Sequence, residues 1–100
     1  MEKETYKQLI NSPGLVLVDF YATWCGPCQR MHPILQQLKA EMGDAIRIAK
    51  IDVDTNELLA ASYNIQSVPT MMLFKDGQLK WRASGGMSLS QLKERLAVDA

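Results

Sequence analysis

The feature that most constrains this chain is a pair of cysteines two residues apart, Cys25 and Cys28, which lies between an apolar run and a helical pattern. They are the only two cysteines among 100 residues. The first N–H groups of a helix have no partner within the helix and carry the positive end of its dipole, so a cysteine placed there is stabilised as a thiolate. A cysteine pair at this spacing, between a strand and a helix, is typical of thiol–disulfide exchange.

The segments around this pair alternate between strand and helix patterns. Residues 15–22 are apolar except for Asp19, which is typical of a central strand covered on both faces. After the cysteines, apolar residues recur three and four positions apart, which predicts a helix that ends near Gly43. Three further helices are predicted: a first helix over 2–11, a short helix over 57–63, and a last helix after the capping pattern of Ser88 and Gln91. A second strand, parallel to the first, is predicted over 46–53.

Asp76 and Gly77 separate two further strand patterns, 70–74 and 78–83, and this pair is a strong hairpin signal. The strand, helix, strand order before them implies a right-handed crossover. The sequence therefore predicts an α/β fold: a central mixed sheet of about four strands with helices on both faces. Since there is no repeat and no linker, we expect a single domain over residues 1–100.

Composition argues against several function classes. Eleven Lys and Arg balance eleven Asp and Glu, so no strong field favours nucleic acid or an anionic membrane. No apolar stretch approaches the about 20 residues of a membrane helix, and the chain starts with charged residues instead of a signal-peptide pattern. We expect no nucleic-acid partner, no membrane insertion, a monomer, and a cytoplasmic location, or a periplasmic one if a signal peptide was removed.

A structural zinc pair is the alternative to redox chemistry. Zinc needs about four ligands, and the sequence has only one histidine, His32, to add to its two cysteines. We therefore expect no metal and no bound cofactor. His32 itself is expected at a solvated position of the helix.

Over nearly its whole length, the sequence resembles the thioredoxin family. The features that carry the resemblance are the strand end Val18-Asp19-Phe20, the motif Trp24-Cys25-Gly26-Pro27-Cys28, Pro33, Lys50 before Asp52-Val53-Asp54, the segment Val68-Pro69-Thr70, Asp76-Gly77 and Gly85. Three features depart from the family pattern. We expect no counterpart of the N-terminal strand common in the family, Tyr21 stands where many members have Trp, and Gln29-Arg30 replaces a Lys-led pair.

The two cysteines are expected to have different roles. Cys25, at the exposed start of the helix, is the expected nucleophile, and Cys28, one turn further in, the expected resolving thiol. Gly26 and Pro27 are small and stiff and tighten the turn between the sulfurs. By resemblance, this pair favours a reductant over disulfide isomerases and glutaredoxins, whose motifs carry other residues between the cysteines.

Asp19 is the anomaly in its strand, because burial of a lone carboxylate raises its pKa. The resemblance implies that it is a buried acid/base that helps to deprotonate Cys28 through a water. The alternative is an ion pair that serves only packing. Lys50 shares its parity with Ile46 and Ile48, which points it inward as the counter-charge of Asp19.

By resemblance, Trp24, Val68, Gly85 and Gly86 form a partly apolar rim on which protein disulfides dock. Core packing is the alternative for Trp24. In the family, Pro69 follows a cis peptide bond and lies beside the cysteines, next to backbone that pairs with substrate. An ordinary strand-start proline is the alternative for Pro69.

The resemblance implies a protein-disulfide reductase whose electrons come from NADPH through a separate flavoprotein, thioredoxin reductase. Two alternatives stay open at this point. One is an extracytoplasmic thioredoxin-like protein supplied by a membrane electron donor. The other is a binding module that uses the Trp24, Val68 and Gly85 surface, with redox state as its switch.

Overall fold

A computed structural model describes residues 5–99 of the chain and confirms the predicted order of elements. The helices and strands are α1 (Tyr6–Ile10), β1 (Leu15–Tyr21), α2 (Gly26–Met42), β2 (Ile46–Asp52), α3 (Glu57–Ser62), β3 (Thr70–Lys75), β4 (Gln78–Ser84) and α4 (Leu89–Asp99), with a 3-10 turn at Gly43–Ala45. The start of the predicted first helix, residues 2–4, lies outside the described residues. Within residues 5–99, no helix is both long and apolar enough to cross a membrane.

The described strands form one mixed sheet in the order β2, β1, β3, β4. Strand β1 runs parallel to β2 and antiparallel to β3, and β3 pairs with β4 as an antiparallel hairpin. The predicted α/β fold with a four-stranded mixed sheet is therefore confirmed. Both edges of β1 are paired, so the strand that leads to the cysteines is one of the two interior strands of the sheet.

The side chains of β1 alternate between two cores, as the strand period of two requires. Leu15 and Leu17 pack beneath α2 and α4 with Met31, Leu35 and Leu92. The even-numbered side chains of β1 pack on the opposite face with residues of α1, β2 and β3; these are Val16, Val18 and Phe20 with Ile10, Ile51, Met72 and Phe74. The continuous apolar run of β1 thus fills both layers, with Asp19 as its one carboxylate.

Local signals fix the ends of the elements. Asp76 and Gly77 have φ of 50° and 83°, the left-handed pair that a two-residue hairpin of type I′ needs. The Asp76 carboxylate accepts a hydrogen bond of 2.8 Å from the Gly14 N–H, which joins the hairpin turn to the loop before β1. Ser88 and Gln91 form the predicted reciprocal capping pair before α4.

Candidate active site

The cysteine pair lies at the junction between β1 and α2. Cys25 is the N-cap of α2 in an extended conformation, and Pro27 occupies the first turn, where its missing N–H costs nothing. The two sulfurs are joined in a disulfide. The Cys28 N–H donates to Cys25 Sγ across 3.2 Å. The same donor, with the helix dipole behind it, would stabilise a thiolate on Cys25 after reduction.

Cys25 is more covered than expected. Its exposed fraction is 5%, whereas Cys28 is fully buried. The expectation of an exposed Cys25 is therefore wrong in degree, although the order of accessibility of the two residues is the expected one. The physical reason is that neighbouring residues cover the sulfur: Cys25 Sγ lies 3.7 Å from the Val68 carbonyl oxygen, and Cys25 packs with Ala22 and Val68.

Asp19 is fully buried, and neither of its carboxylate oxygens has a hydrogen-bond partner. It faces the same layer as Leu17, beneath the helix that carries the cysteines. Burial raises the pKa of Asp19 from 3.8 to about 6, and the positive charge of Lys50 offsets part of that rise. A carboxyl group in this condition changes its protonation state just below neutral pH.

Lys50 lies directly beside Asp19 in the parallel register of β1 and β2. It is half-buried and makes no hydrogen bond to Asp19, whose oxygens have no partner. A lysine can bury its stem while its ammonium stays in water, which explains a charge effect without direct contact. The alternative for Asp19, an ion pair that serves only packing, is therefore not formed with Lys50.

His32 is not at the solvated position expected from the sequence. It is half-buried, its ring meets Tyr21 edge to face with centroids 5.3 Å apart, and its Nδ1 is buried without a hydrogen-bond partner. Burial and the charge of Lys50 lower its pKa. The four-residue spacing from Cys28 could have signalled this, because it places both side chains on one face of α2.

Trp24 is 72% exposed, so the alternative of core packing is excluded. Its indole N–H donates to the Asp54 carboxylate across 2.9 Å, a contact that sequence reasoning missed. A cavity of about 180 Å³ opens between Trp24 and Val68, and Val53 and residues 65–67 complete its lining. By accepting this hydrogen bond, Asp54 holds the indole that forms one wall of a recess beside the cysteines.

The remaining expected rim residues come together on the side of the cysteines formed by the start of β3. The Val68–Pro69 peptide bond is cis, as the resemblance implies. The Gly85 N–H donates to the Pro69 carbonyl across 2.8 Å. Gly85 has φ of 88°, which favours glycine at the position.

The comparisons with known proteins agree with this geometry. The sequence model of the thioredoxin family matches residues 1–98. The chain belongs to the thioredoxin family. It is a thiol–disulfide oxidoreductase of the protein-disulfide reductase type, with the Cys25 and Cys28 pair as the family's redox-active motif. Within residues 5–99, no cluster of three or more His, Cys, Asp or Glu side chains could hold a metal ion.

Individual relatives span several lineages of the thioredoxin family. The thioredoxin-like protein slr0233 of Synechocystis is 49% identical over 92 residues, which cover 92% of this chain and 88% of the relative. Thioredoxin of Bacillus subtilis is 45% identical over 84% of this chain and 81% of its own. Oxidised mitochondrial thioredoxin 3 from Saccharomyces cerevisiae superposes with a TM-score of 0.83 at 34% identity, over 93% of this chain and 86% of that chain.

Proposed function

We propose that Cys25 attacks protein disulfides and that Cys28 resolves the resulting intermediate. The Cys25 thiolate attacks one sulfur of the substrate disulfide, forms a mixed disulfide, and releases the other sulfur as a thiolate that takes up a proton. Cys28, once deprotonated, attacks Cys25 Sγ and releases the second substrate thiol. The substrate gains two electrons and two protons, and the dithiol becomes the Cys25–Cys28 disulfide. The observation that carries these roles is the Cys28 N–H directed at Cys25 Sγ at the start of α2.

Asp19 is proposed as the acid/base that takes the proton from Cys28, through a water molecule. Its full burial, its unpartnered oxygens and its pKa of about 6 support this role. A carboxylate that is ionised at neutral pH, yet costly to keep ionised, accepts a proton readily. Lys50 is proposed as the counter-charge that keeps enough of Asp19 ionised to act.

The proposed docking surface comprises Trp24, Val68, Pro69 and Gly85. Exposure of the indole and the adjoining recess support it, because a large exposed aromatic ring is typical of an interaction site. The distance of 3.7 Å between the Val68 carbonyl oxygen and Cys25 Sγ supports a role for Val68 in pairing with the backbone of a substrate segment. Gly26 and Pro27 set the geometry of the turn between the sulfurs.

The electrons are proposed to come from NADPH through a separate flavoprotein, thioredoxin reductase, in the cytoplasm. The working unit in this proposal is a monomer with one thioredoxin domain over residues 1–100. Family membership supports protein disulfides as substrates and a reductase as partner. The test is a coupled assay in which NADPH oxidation depends on the reductase, this protein and insulin disulfide together. Failure of NADPH and reductase to recharge a chain that dithiothreitol recharges would refute the proposed electron source.

The cysteine roles are tested with two single variants. Cys28→Ser should accumulate a stable mixed disulfide with substrate through Cys25, whereas Cys25→Ser should neither trap substrate nor reduce insulin. Non-reducing electrophoresis with mass spectrometry identifies the linked cysteine. Trapping by Cys25→Ser alone would reverse the two roles. Unchanged partner binding by a chain that cannot reduce disulfides would favour the binding-module alternative.

A further inference from the structure

The two sequence neighbours of Cys25 each lie beside a charged side chain, and the two charges are opposite. On one side, the Trp24 indole is hydrogen-bonded to the Asp54 carboxylate. On the other side, a Cβ placed on Gly26 would lie 3.9 Å from Arg30 Nη1, so the guanidinium reaches back along α2 over Gly26. The nucleophile therefore lies between a carboxylate, which is beside the residue before it, and a guanidinium, which is beside the residue after it.

Both charges are available to a partner. Arg30 and Asp54 are exposed, and within residues 5–99 Arg30 makes no hydrogen bond or ion pair. Asp54 accepts from Trp24 through Oδ2 alone, which leaves its other oxygen open. An arginine held beside a reaction centre without a partner presents a planar set of donors that matches a carboxylate.

We propose that this charge order selects substrates by the order of charges around their reactive cysteine. A favoured segment carries an acidic residue on the flank that meets Arg30 and a basic residue on the flank that meets Asp54. The inference rests on the proposed function, because it requires Cys25 to be the attacking sulfur. Arg30 and Asp54 are then specificity-determining residues, and the chemistry at the sulfurs is unchanged.

The expected preference is modest because both charges are exposed. A solvent-exposed ion pair changes an equilibrium by up to about fivefold, and two such pairs are favourable in one charge order and unfavourable in the other, so we expect a rate ratio of at least about threefold between correct and reversed charge orders. At an ionic strength of about 1 M, where the screening length is about 3 Å, this ratio should fall towards one.

The test uses two disulfide-linked peptide dimers that differ only in order, one with Asp before and Lys after the cysteine and the other with these residues exchanged. Composition and net charge are identical. Rates with the reduced protein are divided by rates with dithiothreitol, which removes differences in the peptides' own reactivity. The wild type should reduce one dimer at least about threefold faster than the other.

Two variants then locate the cause of the preference. Arg30→Gln and Asp54→Asn should each lower the ratio, and the asparagine can still accept the indole hydrogen bond. Lys80→Gln, which removes one positive charge as Arg30→Gln does but at an exposed position of β4, should leave the ratio and the rates unchanged.

The outcomes separate this inference from the proposed function. Equal rates for both dimers with the wild type, or a ratio that neither variant alters, would overturn the inference while reduction itself stands. An equal change for both dimers in Arg30→Gln would assign Arg30 to the reactivity of Cys25 and would also overturn it. Loss of reduction of both dimers by the wild type would refute the proposed function instead.

Discussion

Replacement of Asp19 by Asn should remove a pH-dependent loss of stability. The folded pKa of about 6 lies above the ordinary 3.8, so the folded state binds the proton more tightly than the unfolded state. The stability contributed by this proton is fully present only well below pH 4 and is lost as pH rises through about 6. At about 1.4 kcal/mol per pKa unit, the wild type loses about 3 kcal/mol from this group across that window.

The measurement is guanidinium unfolding of the oxidised protein at a series of pH values from 4 to 8. The difference in unfolding free energy, Asp19→Asn minus wild type, should rise by about 2.4 kcal/mol between pH 4 and pH 7 and then level off. Other carboxyl groups cancel in this difference, and equal denaturant slopes show that the two proteins unfold alike. The amide adds a constant offset, because burial of its donors costs free energy at every pH.

Asp44→Asn is the matched control, because Asp44 is an exposed carboxylate in the turn after α2. Its difference from wild type should be nearly flat over the same pH range. A flat difference for Asp19→Asn as well would show that burial does not perturb this carboxyl group. The physical basis for Asp19 as an acid/base would then be gone.

Lys50→Met should raise the pKa of Asp19 further, because it removes the cation that offsets desolvation. The pH window of stability loss should therefore move upwards in the same titration, and an unmoved window would contradict the charge effect. Leu17→Ala, in the core between the sheet and α2, should cost about 2–5 kcal/mol of unfolding free energy, whereas Leu58→Ala, 89% exposed, should stay within about 0.5 kcal/mol. Gly77→Ala should cost about 1–3 kcal/mol because φ is 83° and the added Cβ would lie 3.3 Å from Asn11 Oδ1; an unchanged denaturation midpoint would refute this strain.

The fold was predictable because its signals are local. The apolar run of β1, the spacing of apolar residues in α2 and the Asp76-Gly77 turn each specify an element from its own residues. Asp19 could be recognised as unusual for the same reason, because a carboxylate in a strand that is buried on both faces cannot easily reach solvent. The relation of Lys50 to Asp19 was predictable as a register position, because parity fixes which face a strand residue occupies.

The rest of the candidate site depends on contacts between distant segments. Nothing near Trp24 in the sequence indicates that its indole meets Asp54, thirty residues later. The covering of Cys25 comes from Val68, which reaches the sulfur only through the position of the Val68–Pro69 segment. The burial of His32 depends on Tyr21 from another element. Propensity and spacing carry no information on such pairings.

The central position of β1 has a consequence for the motions of the molecule. Its amides are bonded to strands on both edges and covered by side chains on both faces, so they exchange hydrogen with solvent only when most of the sheet opens. Cys25 follows this strand after only three residues, whereas the Val68 wall opposite belongs to a loop. The sulfur is therefore attached to the part of the molecule that unfolds last. The fluctuations that admit a substrate occur instead in the loop that faces the sulfur.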